Sequence, residues 1–322
     1  MGIFYYLYFI KTKYDQRQEI IETLKNGVNY SWILVSLIIG LLSHISRTAR
    51  WRLMIEPIGH KPKFINTFLA VMVGYVMNLV IPRMGEVSRC GVLTRYEKIS
   101  FSKSFGTVVA ERLIDLLSLV ILLAIVIITQ FGKMVHFFQQ NPEIQQKIFS
   151  LFKSPYLIIG LLVLLIAIIV FRKTINKSSI AKKIKEVLTN FKEGFISIRS
   201  IKRKGWFYFH SVFIWLMYYL MLYVVFFAFD FTKGLGPIAG LTTFVLASFG
   251  MVAPVQGGIG AWHFMATEAL CLYGIERLQG QTFALLAWSI TTGMIIIVGV
   301  ISLLILPFIN RRKDVDEQKS YL

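Results

Sequence analysis

The stretch Asn78-Leu79-Val80-Ile81-Pro82-Arg83-Met84-Gly85-Glu86-Val87-Ser88-Arg89 follows directly on a run of apolar residues, and positions 82–89 hold two arginines, a glutamate, a proline and a glycine. A guanidinium donates two parallel hydrogen bonds from a planar fork, which suits it to phosphate or carboxylate. A second charged set, Glu111, Arg112 and Asp115, opens another apolar run. Glu111 and Asp115 are four apart and share a helical face, with Arg112 three from Asp115. Two carboxylates on one face at low dielectric repel, so a cation must stand close or one of them must keep its proton. Arg83 or Arg89, from the preceding segment, is the natural cation. A third set, Arg47, Arg50 and Arg52, ends the first long apolar run.

The elements that must position these groups are membrane helices. The chain has 322 residues, 56% of them apolar, and a mean hydropathy of +0.63. Its apolar residues fall in blocks of a length that crosses ~30 Å of hydrocarbon as a helix of about 20 residues. They are Ser31–Ser46, Phe64–Ile81, Thr107–Phe131, Pro155–Phe171, Trp206–Phe229, Leu235–Ala253, Ile259–Tyr273 and Phe283–Ile309. The expected fold is all-α, a polytopic integral membrane bundle of 7–8 apolar segments. Broken or re-entrant helices are expected near 64–89 and 235–260. Gly2–Ile10 is apolar but too short to span, and reads as an interfacial stub or the end of a further helix. Residues 1–30 form an N-terminal stub and polar segment, 31–309 the membrane domain, and 310–322 a basic tail.

Charge placement sets the expected orientation. The net charge is +18, and residues 172–205 hold eleven Lys or Arg against two Glu, half of that excess. The tail adds Arg311, Arg312 and Lys313. By the positive-inside rule both segments are cytoplasmic in a plasma-membrane protein, with four crossings between them. Segments 47–63 and 82–104 each hold five Lys or Arg although one apolar block separates them. A re-entrant hairpin starting at Phe64 and turning near Pro82 and Gly85 removes that conflict. Irregular backbone at membrane depth is tolerated only beside protein or a wet cavity.

Within 180–204, Ile180, Ile184, Val187, Phe191, Phe195 and Ile198 fall on one helical face among lysines. That pattern suits a helix lying on an anionic leaflet, although a basic loop that only sets topology would carry the same charge. Nucleic acid is not expected as a partner, because base-stacking aromatics interleaved with basic residues are missing.

Ionisable groups inside a bilayer are costly and mark function when they occur. Arg83, Glu86, Arg89, Glu111, Arg112 and Asp115, with Asn78, admit two readings. One is an interhelical ion-pair network that fixes packing. The other is a cation-rich cavity for an anionic head group, in which the carboxylates orient the arginines. A second broken stretch carries Pro254, Gly257, Gly258 and Gly260, followed by His263. Glycines there admit close approach of a ligand to backbone, and paired interrupted segments point to a transport site. The same glycines would also serve a surface turn, and His263 is either a packing residue or a proton carrier.

Taken in order, Asn78, Pro82-Arg83-Met84-Gly85-Glu86-Val87-Ser88-Arg89, Glu111-Arg112, Asp115, Pro254 and Gly257-Gly258-Ile259-Gly260 resemble the transmembrane domain of the lysylphosphatidylglycerol synthetase/flippase family. Arg50-Trp51-Arg52 matches as well, and the resemblance runs from about residue 30 to 309. It implies a stand-alone membrane domain. In full-length members that domain moves aminoacylated phospholipid between leaflets, and a separate soluble domain makes the lipid from aminoacyl-tRNA. Two positions depart from the family pattern. Gln256 stands where a second proline is usual, and His263 where a glutamate is, with Glu268 five residues on.

Three functions remain open at this stage. The first is binding and translocation of an anionic or zwitterionic lipid, aminoacylated lipid included, with Arg83, Arg89 and Arg112 on the phosphate. The second is an intramembrane transferase with Glu111 or His263 as general base. The third is a scaffold for cell-envelope enzymes. The longest polar segment, 172–205, is too short for a tRNA-dependent synthetase, and no phosphate-binding Walker loop is present. No cofactor is expected, and the chain reads as a transporter rather than an enzyme. Cys90 and Cys271 have no metal-ligand spacing.

Overall fold

The computed structural model describes residues 14–140, 189, 192, 195–252 and 255–319. The expected span Pro155–Phe171, the N-terminal Gly2–Ile10, Pro254 and most of the basic face over 180–204 lie outside the described residues. Among the described residues the chain is all-α, a helical membrane bundle with one isolated β-bridge between Val28 and Phe229.

Nine helices carry the argument: α1 (Tyr14–Asn26), α2 (Tyr30–Ile55), α3 (Phe64–Val80), α4 (Met84–Glu97), α5 (Phe101–Gln140), α6 (Lys204–Val225), α7 (Pro237–Gly250), α8 (Ala261–Cys271) and α9 (Arg277–Lys319). Four helical stretches, Tyr30–Ile58, Phe101–Lys133, Lys204–Phe226 and Arg277–Asn310, are long and apolar enough to cross a membrane. They belong to α2, α5, α6 and α9. Large apolar side chains on α5 and α9, among them Leu117, Ile128, Ile297 and Phe308, stay exposed on the outer face. In a water-soluble bundle that exposure would be a liability; in hydrocarbon it is the expected surface.

The remaining apolar helices are shorter, and they pair into hairpins. α3 ends where Pro82 forces the residue before it out of helical geometry, and Ile81 is extended (φ −130°, ψ 124°). After a turn at 81–83 the chain folds back as α4. The two helices are antiparallel: Asn66 meets Glu97 at the base, and Asn78 meets Gly85 near the tip. Gly74 and Gly85 make the close approach possible, since a Cβ on Gly85 would sit 2.1 Å from the Gly74 carbonyl oxygen. The expected hairpin over 64–89 is therefore present, and it starts and ends at the same end of the bundle. That end carries Lys61, Lys63, Lys98, Lys103 and Lys202–Lys204, so one apolar block separates two basic segments without crossing.

α7 starts with Pro237 in its first turn, where a missing N–H costs nothing, and α8 runs back beside it. Gly250 lies against Ala261 and Trp262, and Thr242 bonds Tyr273 at the base. With 14 and 11 residues, α7 and α8 reach only ~20 Å each. The expectation of four crossings between 205 and the tail is thus corrected. Among the described residues there are two helices long and apolar enough to cross, with one hairpin between them, an even number that still returns the chain to the basic end.

α2 and α6 run antiparallel through the centre. Small residues on α2 allow this: Ser36 donates to the Met221 carbonyl at 2.7 Å, and Gly40 lies against the Met221 side chain. One apolar cluster, with Phe226 and Phe229 against Phe283, fills the end opposite Lys61 and Lys98. Another, around Trp51, Met54, Ile55 and Leu93, fills the basic end.

Candidate functional site

Arg47 and Arg50 lie three residues apart on α2, at the depth where α5 presents Glu111 and Asp115. The helical spacing of each pair turns both residues toward the partner helix. Arg47 bonds Glu111 and, at 3.0 Å, Asp115 Oδ2. Arg50 Nη2 reaches Asp115 Oδ1 at 2.7 Å and Glu111 Oε1 at 3.2 Å. From α4, Arg89 Nη1 donates to the other Glu111 oxygen at 3.0 Å. Its guanidinium lies over the Trp51 ring at 4.7 Å, and Trp51 is held in turn by its indole N–H on Thr107. The repulsion expected between Glu111 and Asp115 is removed by three arginines from two other helices.

Of the two cations expected from the preceding segment, Arg89 fills the role and Arg83 does not. Arg47 and Arg50 were visible only as a separate basic set at the end of the first long helix. Their three-residue spacing in an apolar run was a signal that they face one partner helix, without saying which. Tyr218, accepting from Arg47 Nε at 3.2 Å and sharing a 2.9 Å hydroxyl bond with Tyr75, extends the cluster to α6 and α3.

Glu86 pairs with Arg112 at 3.2 Å on the outer side of this cluster, and the Arg112 side chain is 39% exposed. Arg47, Arg50, Arg89 and Arg112 therefore face Glu86, Glu111 and Asp115, an excess of one positive charge when all are ionised. Nε and Nη1 of Arg50, and Nε and Nη2 of Arg89, have no acceptor among the described residues. Buried N–H groups of a cation without an acceptor are costly. The cluster is thus an interhelical network whose buried arginines keep N–H groups without an acceptor among the described residues.

Asn78 braces the hairpin, since its Oδ1 accepts the Gly85 N–H at 2.7 Å and ties the start of α4 to α3. Arg83 sits at the tip in the left-handed region (φ 64°) and sends Nη2 to the Val252 carbonyl at 2.9 Å. Val252 belongs to the tip of the second hairpin. Gln256, on that tip, returns a 3.3 Å bond from Nε2 to the Val80 carbonyl. The two broken segments therefore meet. Gly257 (φ 56°), Gly258 (φ 72°) and Gly260 (φ 81°) supply the positive φ this turn needs. The Gly257 carbonyl accepts the Trp288 indole N–H from α9 at 2.9 Å, and Leu79 lies where a Gly257 side chain would be. His263 is fully buried, with its ring 5.0 Å from Trp288 and Nδ1 facing the Gly260 N–H at 3.4 Å. It braces the start of α8.

A cavity of about 360 Å³ lies between α5, α6 and α7, walled by Ile121, Trp215, Leu216, Tyr219 and Phe244. It is apolar. Ser118, on its wall, is three residues beyond Asp115 on α5.

Part of the chain is 34% identical, over 100 residues, to a UPF0104 membrane protein of Methanocaldococcus jannaschii. The match spans 30% of this chain and 30% of that relative's length. No solved structure matches the chain. The family model described as the lysylphosphatidylglycerol synthase TM region matches residues 2–299. The hairpin with Arg83 and Glu86, the paired Glu111 and Asp115, and the glycine-rich second tip all fall inside that match, and the chain belongs to the lysylphosphatidylglycerol synthase transmembrane-region family.

Proposed function

We propose that this membrane protein binds an anionic or zwitterionic lipid, aminoacylated lipids included, and moves its head group between leaflets along the seam where the two hairpins meet. The observation that carries this reading is the contact of two short helical hairpins, entered from opposite ends, beside a buried cluster with one uncompensated positive charge. Non-helical backbone at membrane depth belongs beside a polar path, and guanidinium N–H groups without acceptors favour an anion.

In this reading Arg83, Arg89 and Arg112 hold the phosphate. Arg83 and Arg112 are the exposed members, and the buried Arg89 adds two nitrogens, Nε and Nη2, without an acceptor among the described residues. Glu86, Glu111 and Asp115 keep the arginines oriented. The glycines of the second tip let backbone approach the head group. The acyl chains stay in hydrocarbon, with the apolar space by Trp215 and Tyr219 as a berth. The basic end faces the cytoplasm of a plasma-membrane protein, and the segment 180–204 rests on its anionic leaflet.

The test is leaflet exchange of a fluorescent phosphatidylglycerol in liposomes carrying the purified chain. Exchange without chemical change in the lipid supports translocation. A chemically altered lipid would replace it with a transferase, and intact lipid that stays in its leaflet would remove transport.

A further inference from the structure

Among the described residues the order span, hairpin, span occurs twice. α2, the α3–α4 hairpin and α5 are followed by α6, the α7–α8 hairpin and α9. The second set has the opposite orientation, because its hairpin is entered from the end away from the lysines. Contacts exchange between the sets as a twofold relation requires: α2 lies antiparallel to α6, α3 packs on α9, and α7 packs on α5. The tips repeat in sequence as well, with Pro82-Arg83-Met84-Gly85 in one and Pro254-Val255-Gln256-Gly257 in the other.

The tip bonds share this relation. Val80 stands two residues before Pro82, and Val252 two residues before Pro254. Each carbonyl is taken by a side chain of the other hairpin, Val252 by Arg83 and Val80 by Gln256. These carbonyls close half-helices, whose C-terminal ends carry partial negative charge and favour a cationic donor. Arg83 is also one of two described non-glycine residues with positive φ, and such backbone persists where its surroundings hold it.

We propose that the chain is an inverted-topology pair and that Arg83 and Gln256 are the latch between its halves, released when phosphate oxygens of a lipid head group replace the Val252 carbonyl on Arg83. The inference rests on the lipid-translocation reading and adds Gln256 as a positioning residue. Exchange of partners favours release. A carbonyl offers Arg83 one neutral acceptor, whereas a phosphate offers two charged ones in the geometry of the fork. Once Arg83 turns away, Gln256 is the one polar join between the tips among the described residues, and repeats of this kind move against each other around a central site.

The experiment uses the full chain with Cys90→Ala and Cys271→Ala, and a single reporter, Leu79→Cys, whose side chain packs against Gly257 of the other tip. In liposomes, a membrane-impermeant maleimide should label that thiol about tenfold faster when glycerol phosphate is present, the weight of one hydrogen bond to a charged group. With Arg83→Ala added, labelling should be fast from the outset and indifferent to glycerol phosphate. A rate that glycerol phosphate leaves unchanged, or an Arg83→Ala chain as slow as its parent, overturns the latch. A second arm joins Val80→Cys to Gln256→Cys with a short reducible linker. Linked chains should exchange no lipid until reduced. Full exchange through linked tips sinks the latch and leaves translocation standing. Phosphate-dependent labelling in a chain that exchanges no lipid keeps the latch and removes translocation.

Discussion

Arg83 and Val252 are 169 residues apart in the chain and 2.9 Å apart at the junction of the two hairpins. A side chain from the first broken helix completes the end of the second, so neither tip is an independent surface turn. The predictions below follow from that junction and from the charged cluster beside it.

Arg83→Lys keeps the charge but loses the planar fork, and Arg83→Ala loses both. Lipid exchange in liposomes should fall by about one order of magnitude for Lys and further for Ala, because a bidentate site distinguishes the two cations. Equal rates for the wild-type chain and both variants would take Arg83 out of the path.

Glu111 accepts from Arg47, Arg50 and Arg89. Glu111→Ala leaves Arg47 and Arg50 with Asp115 and takes from Arg89 its carboxylate partner, and loss of one member of a buried ionic set costs about 3–5 kcal/mol. Thermal unfolding in detergent should show a large drop in Tm. Glu111→Ala combined with Arg89→Ala should cost less than the sum of the two, as expected for groups in one network. Additive losses would mean that the two residues do not act together.

Gly85→Ala puts a methyl group 2.1 Å from the Gly74 carbonyl and 2.6 Å from the Asn78 amide. The first hairpin must open to admit it, at a cost of about 1–3 kcal/mol or more. Gly91→Ala, on the same helix with nothing within 4 Å, should instead leave stability unchanged or raise it by up to about 1 kcal/mol. A calorimetric comparison of the two tests the packing. Matching Tm values would mean that α3 and α4 are not in close contact.

Lys61 and Lys233 are exposed at opposite ends of the bundle. In intact cells an impermeant thiol reagent should label Lys233→Cys, and reach Lys61→Cys only after the membrane is opened. The reverse pattern would invert the orientation proposed for the basic end.

The sequence alone carried the solvent and the punctuation. Blocks of apolar residues of membrane length determine helices in hydrocarbon, because an unpaired peptide group there has no water to bond. Pro82 and the glycines at 257, 258 and 260 mark where those helices break. Two basic segments around one apolar block were enough to expect the first hairpin. The second was legible as a break but not as a hairpin, since Leu235–Ala253 and Ile259–Tyr273 differ little in composition from segments that cross.

Tertiary structure decided the partners. The four-residue spacing of Glu111 and Asp115 specifies a shared face of one helix, yet nothing local says which helix lies against it. Arg47 and Arg50 do, 61–68 residues earlier in the chain, while Arg83 turns to the Val252 carbonyl. Periodicity is a property of one helix, whereas the pairing of buried charges depends on how several helices pack, and that is settled only when the whole bundle closes.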